Sequence, residues 1–240
     1  MKINLKRILS SYERYGFINT FKKILKKFNI DLKILDPIQK KRGYLAKKIQ
    51  VYSENTIISG AYKGTKLIES DHYFSAKSAQ LLGCYEEEVQ NEIKYLKEKF
   101  NINTLVNLGA GEGYHSVGCL NSKIVEYCIN FEMMEDSRKY IKQNFQKNNL
   151  HNNYLMLEKA EKNFLDLILD KIKLEETLFL LDVEGDEFKL LSEKVLSQLK
   201  NSFIIIEFHH FYSDNLSQED LIRSIQKYFH IKWIKTESRN

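Results

Sequence analysis

Apolar residues in the second half of the chain form short continuous runs that are separated by segments with helical periodicity. The runs cover 105–108, 125–131, 154–157, 178–181, 203–208 and 231–234, with helices predicted between them to about 120 and over 136–145, 163–172, 186–199 and 217–229. Strands that are apolar throughout and alternate with helices predict a parallel sheet covered on both faces. The predicted fold class is therefore α/β with a doubly wound, mostly parallel sheet. Such sheets bind ligands at the carboxyl ends of their strands.

The first hundred residues have a different pattern. Between Phe21 and Phe28, apolar residues recur at helical spacing and lysines fill the other side, which predicts a basic helical arm over 1–47. Ile49, Val51 and Tyr52 are typical of a β-like segment, and a helical register follows up to residue 100. We expect 48–100 to form a lid or substrate-side cap over a catalytic core at 101–240.

Composition and charge narrow the class of protein. Hydrophobic residues make up 43% of the 240-residue chain and charged residues 29%, which argues against disorder and coiled coil. No apolar run approaches the ~18 residues that span a bilayer, and no signal peptide is recognisable, so a cytoplasmic location is expected. The net charge is +5, but residues 1–50 alone carry +11. This arm suits a phosphate-bearing partner, peripheral contact with an anionic membrane or a solvated helix face, and these alternatives stay open.

A glycine turn follows the first predicted strand. The sequence from Asn107 to His115 is Asn-Leu-Gly-Ala-Gly-Glu-Gly-Tyr-His, which has the spacing G-x-G-x-G. A dinucleotide fingerprint would need a further glycine where Tyr114 stands. The loop therefore suits a cofactor that has an adenosine and an amino-acid tail but no pyrophosphate. The next predicted strand ends at Glu132, whose carboxylate is able to accept hydrogen bonds from both hydroxyls of a ribose.

Three motifs in order resemble one enzyme family. Residues 106–116 resemble V-D-V-G-A-N-x-G-Y-x-S, residues 182–191 resemble D-V-E-G-x-E-x-x-x-L, and residues 207–209 resemble E-x-H. Together they resemble FkbM-type, class I S-adenosylmethionine-dependent methyltransferases, which have a Rossmann-like fold and mostly methylate hydroxyls of sugars and natural products. The chain departs from that pattern at Asn107, where the family usually has an acid, and at Gly111, where it has asparagine.

The resemblance implies an enzyme that uses S-adenosyl-L-methionine to methylate a hydroxyl of a carbohydrate or carbohydrate-derived intermediate, as in capsule, surface-glycan or natural-product synthesis. The expected cofactor contacts are Asn107, Gly109, Ala110, Gly111, Gly113, Tyr114, His115, Glu132 and Asp182, with Tyr85 and Glu86 from the preceding helix. No metal ligands are predicted.

Methyl transfer to a hydroxyl also needs a proton acceptor. We expect His209 to be this base, with Glu207 or Asp182 orienting it, because the ends of the fourth and fifth predicted strands are neighbours. The expected substrate contacts are Glu184, Tyr62, Lys63 and His72, and His72 is an alternative base.

Other functions are disfavoured or left open. The only proline, Pro37, is followed by Ile38, so the motifs of amino-directed and cytosine-C5 DNA methyltransferases are absent and a nucleic-acid substrate is disfavoured. Methylation of RNA or another phosphate-bearing substrate, a non-catalytic cofactor-binding or assembly module, and a homodimer all remain open.

Overall fold

The computed structural model describes residues 37–69, 74–208 and 218–234 of the chain. The chain divides into two compact units, Met1–Tyr44 and Leu45–Asn240. Of the first unit only 37–44 are described, and they are helical. The site discussed below belongs to the second unit. Within the described ranges, no helix combines the length and apolar character needed to cross a bilayer.

A parallel sheet forms the centre of the second unit. Its strands are β1 (Thr104–Leu108), β2 (Tyr127–Phe131), β3 (Tyr154–Leu157), β4 (Thr177–Leu181) and β5 (Phe203–Ile206). They lie in the order β3-β2-β1-β4-β5, and every pair is parallel. The strand order reverses between β1 and β4, which is where such sheets open a crevice for ligands. The predicted doubly wound, Rossmann-like sheet is thus confirmed.

Helices of the second unit cover both faces of this sheet. The helices of the described residues are α1 (Pro37–Ser53), α2 (Phe74–Leu82), α3 (Glu87–Phe100), α4 (Tyr114–Asn121), α5 (Glu135–Lys147), α6 (Glu187–Leu190), α7 (Glu193–Leu199) and α8 (Gln218–Gln226). Successive strand residues point to opposite faces. Accordingly Leu105 belongs to one hydrophobic core, with Ile93 of α3, and Val106 to the other, with Leu196 of α7.

The β-like segment predicted near residue 50 is wrong, because 48–53 belong to α1. Ala46 and Ser53 are buried there while Val51 and Tyr52 are exposed, which is helical periodicity and not the alternation of a strand. Only an isolated antiparallel bridge joins Thr56 to Lys66 within the part of this segment that the structure describes.

Three further predictions need correction. The apolar run 231–234 pairs with no strand among the described residues, so β5 is the edge of the sheet as far as it is described. The helix predicted over 163–172 consists of 3₁₀ turns, because backbone hydrogen bonds there span three residues, as from Ile168 N–H to the Leu165 carbonyl. The helix predicted over 186–199 is interrupted where Ser192 caps α7 by accepting a hydrogen bond from Val195 N–H.

Candidate functional site

A cavity of about 850 Å³ opens at the carboxyl ends of β1, β2 and β4 and continues along β5. It brings together most of the residues that the sequence singled out. They are Tyr85, Glu86, Asn107, Gly109, Ala110, Gly111, Tyr114, His115, Glu132, Asp182, Glu184 and Glu207. Gly113 and Lys63 do not line this cavity, and His72 and His209 lie outside the described residues.

The glycine turn packs directly against the end of β4. Gly109 has a φ of +84°, and a Cβ atom built on it would lie 1.8 Å from the carbonyl oxygen of Asp182. Only glycine combines this left-handed conformation with so close an approach of two backbones. Gly113 is also left-handed. A Cβ atom built on it would lie 3.1 Å from the Ile141 side chain, so the lack of a side chain at Gly113 lets the start of α4 lie close to α5.

Glu132 connects the end of β2 to the glycine turn. One carboxylate oxygen accepts a hydrogen bond from Gly111 N–H at 2.8 Å, and the other accepts one from Met134 N–H at 2.8 Å. Arg138 donates to the main-chain carbonyl of Glu132 at 2.7 Å, which fixes the segment further. A carboxylate has about four lone-pair positions, so each oxygen keeps an acceptor site for a ligand hydroxyl.

A buried ion pair that the sequence did not reveal also holds the glycine turn. The Lys77 ammonium lies 3.4 Å from the Glu112 carboxylate, and both side chains are only 3% exposed. Asn144 donates to the main-chain carbonyl of Glu112 at 2.9 Å, so α2 and α5 both contact the same loop residue. Burial lowers the pKa of Lys77, although Glu112 opposes that shift. The partners are 35 residues apart, and no spacing rule connects them.

A hydrogen-bonded chain runs from the core to the cavity through α4. His115 Nε2 lies 2.7 Å from the Glu86 carboxylate, and its Nδ1 lies 3.0 Å from the Tyr62 hydroxyl. The Cys119 thiol in turn donates to the Tyr62 oxygen at 3.4 Å. Tyr62 is fully buried, with its ring against Gly118. Tyr62 is therefore a core residue and not the substrate contact that the sequence suggested.

Burial governs the ionisation of this cluster. It raises the pKa of the Cys119 thiol to about 12 and holds the pKa of the Tyr62 hydroxyl well above its ordinary value. Tyr85 and Tyr114 pack edge to face with ring centres 5.3 Å apart, and burial raises the pKa of both phenols. All four groups stay protonated at neutral pH and act as hydrogen-bonding or packing groups.

Carboxylates collect where β4 and β5 end. Asp182 N–H donates to the Leu108 carbonyl at 3.0 Å and Glu207 N–H to the Leu181 carbonyl at 2.9 Å, so parallel pairing continues past both strands and brings the two acids to one edge. Glu184 follows in a left-handed conformation, with a φ of 53°. Among the described residues, no group of histidine, cysteine, aspartate and glutamate side chains has the arrangement of a metal site.

Comparison with protein-family models and with curated proteins finds no match. Solved structures do show similarity. A Staphylococcus aureus protein assigned as a caffeoyl-CoA O-methyltransferase has 16% identity over 78% of this chain and 86% of its own, with a TM-score of 0.46. The O-methyltransferase from Bacillus cereus, solved with SAH, has 12% identity over 88% and 86% and a TM-score of 0.41.

A third similar structure is geranyl diphosphate C-methyltransferase from Streptomyces coelicolor A3(2), at 10% identity over 80% of each chain and a TM-score of 0.41.

Proposed function

We propose that this chain is a methyltransferase that uses S-adenosyl-L-methionine to methylate a hydroxyl group. One observation supports this most directly: Glu132 lies at the end of β2, lines the cavity and accepts a hydrogen bond from the second glycine of the turn after β1. A nucleoside ribose placed at the switch point of the sheet would meet this carboxylate, while the backbone of the glycine turn would face the amino-acid tail of the same molecule.

The residues around the turn suit such a cofactor. Tyr114 lines the cavity at the position where a dinucleotide-binding loop would have glycine, which disfavours a pyrophosphate. Asn107 is turned toward α4, where its amide donates to the Ser116 hydroxyl at 3.1 Å. When bound, the cofactor would supply an electrophilic methyl group. The contribution of the protein would be to align the acceptor hydroxyl with that methyl group and to remove the hydroxyl proton.

For the acceptor we propose a carbohydrate or carbohydrate-derived intermediate, in keeping with the FkbM-like motifs. Asp182, Glu184 and Glu207 present oxygen acceptors where β4 and β5 end, and a polyhydroxylated ligand would be able to donate to them. Small molecules of this kind occupy cavities of about 300–1,000 Å³, so the volume available is sufficient for an acceptor beside the cofactor.

Calorimetric titration with S-adenosylhomocysteine tests the proposal. We expect wild-type protein to bind it and Glu132→Ala to bind about 10- to 100-fold more weakly, because hydrogen bonds to a charged group contribute about 1.5–3 kcal/mol. Glu132→Gln keeps one carbonyl oxygen and should fall between the two. Glu158→Ala, at an exposed acid just past β3, is the matched control and should bind as the wild type does. Absence of binding by the wild type, or unchanged affinity in Glu132→Ala, would refute the assignment.

A further inference from the structure

Glu86 has an unusual conformation at the start of α3, and this conformation aims its side chain into the site. Its φ of 46° and ψ of 47° are left-handed, which costs a non-glycine residue roughly 1–2 kcal/mol. The side chain does not cap its own helix and instead reaches His115 Nε2, 2.7 Å away on α4. Backbone strain of this kind persists only where the surroundings stabilise it, and it concentrates at functional sites.

His115 connects Glu86 to the buried core. Its Nδ1 atom lies 3.0 Å from the Tyr62 hydroxyl, which also contacts the Cys119 thiol at 3.4 Å. Its Nε2 atom lies 2.7 Å from the Glu86 carboxylate, and because a carboxylate accepts hydrogen bonds, Nε2 is the donor in that contact. The imidazole is thus held on both sides and orients the carboxylate of Glu86.

Both members of the pair line the cavity, but Glu86 is the more exposed one. The His115 side chain is 9% exposed and both of its nitrogens are engaged, whereas the Glu86 side chain is 28% exposed. An acceptor molecule would therefore reach the carboxylate more readily than the imidazole.

Glu86 shares its cavity with the acids that follow β4 and β5. The cavity is lined by Tyr85 and Glu86 from the segment before α3 and by Asp182 and Glu207 from the ends of the two strands. Ligands of such sheets bind outside the carboxyl ends of the strands, so a bound acceptor would lie among these side chains.

We propose that Glu86 is the proton acceptor for the hydroxyl that becomes methylated, and that His115 is a positioning residue that orients its carboxylate. This inference depends on the proposed function, and it assigns to the described residues the role for which the sequence suggested His209. As the hydroxyl oxygen bonds to the methyl carbon, its proton passes to Glu86, and the electron pair of the broken carbon–sulfur bond remains on sulfur, which becomes a neutral thioether.

A pair of cofactor analogues tests the position of this charge without an identified acceptor. S-adenosylhomocysteine has a neutral thioether, whereas sinefungin has an ammonium-bearing carbon in place of the methylsulfonium. A carboxylate close to the reacting methyl group should favour sinefungin. By calorimetry we expect Glu86→Gln to weaken sinefungin binding about 10-fold, the effect of ~1.4 kcal/mol, and to change S-adenosylhomocysteine affinity by less than about twofold.

Matched variants separate this effect from general damage. Glu92→Gln alters another cavity-lining glutamate of α3, which is paired with Lys232 at 2.5 Å, and should leave the ratio of the two affinities unchanged. His115→Gln keeps an N–H donor for Glu86 and should preserve the ratio, whereas His115→Phe removes that donor and should lower the ratio. If Glu86→Gln proves unfolded by circular dichroism, Glu86→Asn replaces it, because asparagine tolerates the left-handed conformation.

The outcomes are distinguishable. Failure of the wild type to bind either analogue would refute the proposed function itself. Binding of both analogues by the wild type with an unchanged affinity ratio in Glu86→Gln would overturn only the role of Glu86. Equal weakening of both analogues in that variant would likewise overturn it, because it would show a structural contribution alone.

Discussion

Replacing Gly109 by alanine should destabilise the protein through one identifiable contact. The new Cβ atom would lie 1.8 Å from the Asp182 carbonyl oxygen and 2.7 Å from its carbon, and both are backbone atoms that no side-chain rotation relieves. The residue would also have to keep a φ of +84°, which alanine disfavours. One of the two strand ends must therefore move away from the other.

The magnitude follows from these two costs. A left-handed alanine costs roughly 1 kcal/mol, and forcing atoms into packed space costs about 1–3 kcal/mol, so the variant should lose about 3 kcal/mol of unfolding free energy. For a protein of 150–250 residues each kcal/mol lowers the melting temperature by about 2–4 °C, which predicts a decrease of roughly 6–12 °C.

Gly64→Ala is the matched control, because Gly64 also has a positive φ, +88°, but no atom lies within 4 Å of the position that a Cβ atom would take there. It should lose only the conformational cost of about 1 kcal/mol. Thermal melts and urea titrations of both variants measure the difference, which isolates the contact with Asp182. Equal melting temperatures for the two variants would show that the close approach of β1 and β4 does not constrain the turn.

Two further predictions concern buried ionisable groups. The pKa of Cys119 is about 12 in the folded state against 9.0 when unfolded, so the free energy of unfolding should fall as pH rises between these values, at about 1.4 kcal/mol per pH unit. Cys119→Ser should reduce that slope in urea titrations from pH 8 to 10. An unchanged slope would contradict the assignment of the pH dependence to this thiol. Glu112→Gln should cost about 3–5 kcal/mol near pH 7 by leaving the Lys77 ammonium buried without its ion pair. Because burial lowers the pKa of Lys77, the difference in unfolding free energy between Glu112→Gln and wild type should shrink as pH rises toward 10.5. Adding Lys77→Met to Glu112→Gln should restore much of the lost stability. A difference in unfolding free energy that did not change with pH would contradict this reasoning.

The fold was largely predictable because the buried strands are mostly apolar and alternate with helical segments. Leu178–Leu181 is apolar on both faces, as a central parallel strand must be, and the glycine turn after β1 has a local spacing that indicates its role. The segment near residue 50 was misinterpreted because Val51 and Tyr52 are apolar yet exposed on a helix. Composition alone does not distinguish that case from a strand.

The contacts that organise the site were not predictable in the same way. Glu86 and His115 are 29 residues apart, and Tyr62 and Cys119 are 57 apart. No periodicity links such pairs, because each is created by the packing of α4 against segments that precede the sheet. The sequence therefore named Glu86 and His115 separately as cofactor contacts but gave no indication that they form a pair.

These contacts also separate two kinds of residue in the site. The glycine turn is held before any ligand arrives, by Gly109 on the Asp182 carbonyl, by Glu132 on Gly111 N–H and by Lys77 on Glu112. A ligand that binds there does not have to order the loop, so changes to these contacts should reduce stability and affinity together. Glu86 is different, because its carboxylate contacts His115 of α4 and not the glycine turn, and its proposed role is chemical. A change in analogue preference at unchanged affinity for the neutral thioether is therefore the result that distinguishes a chemical role from a structural one.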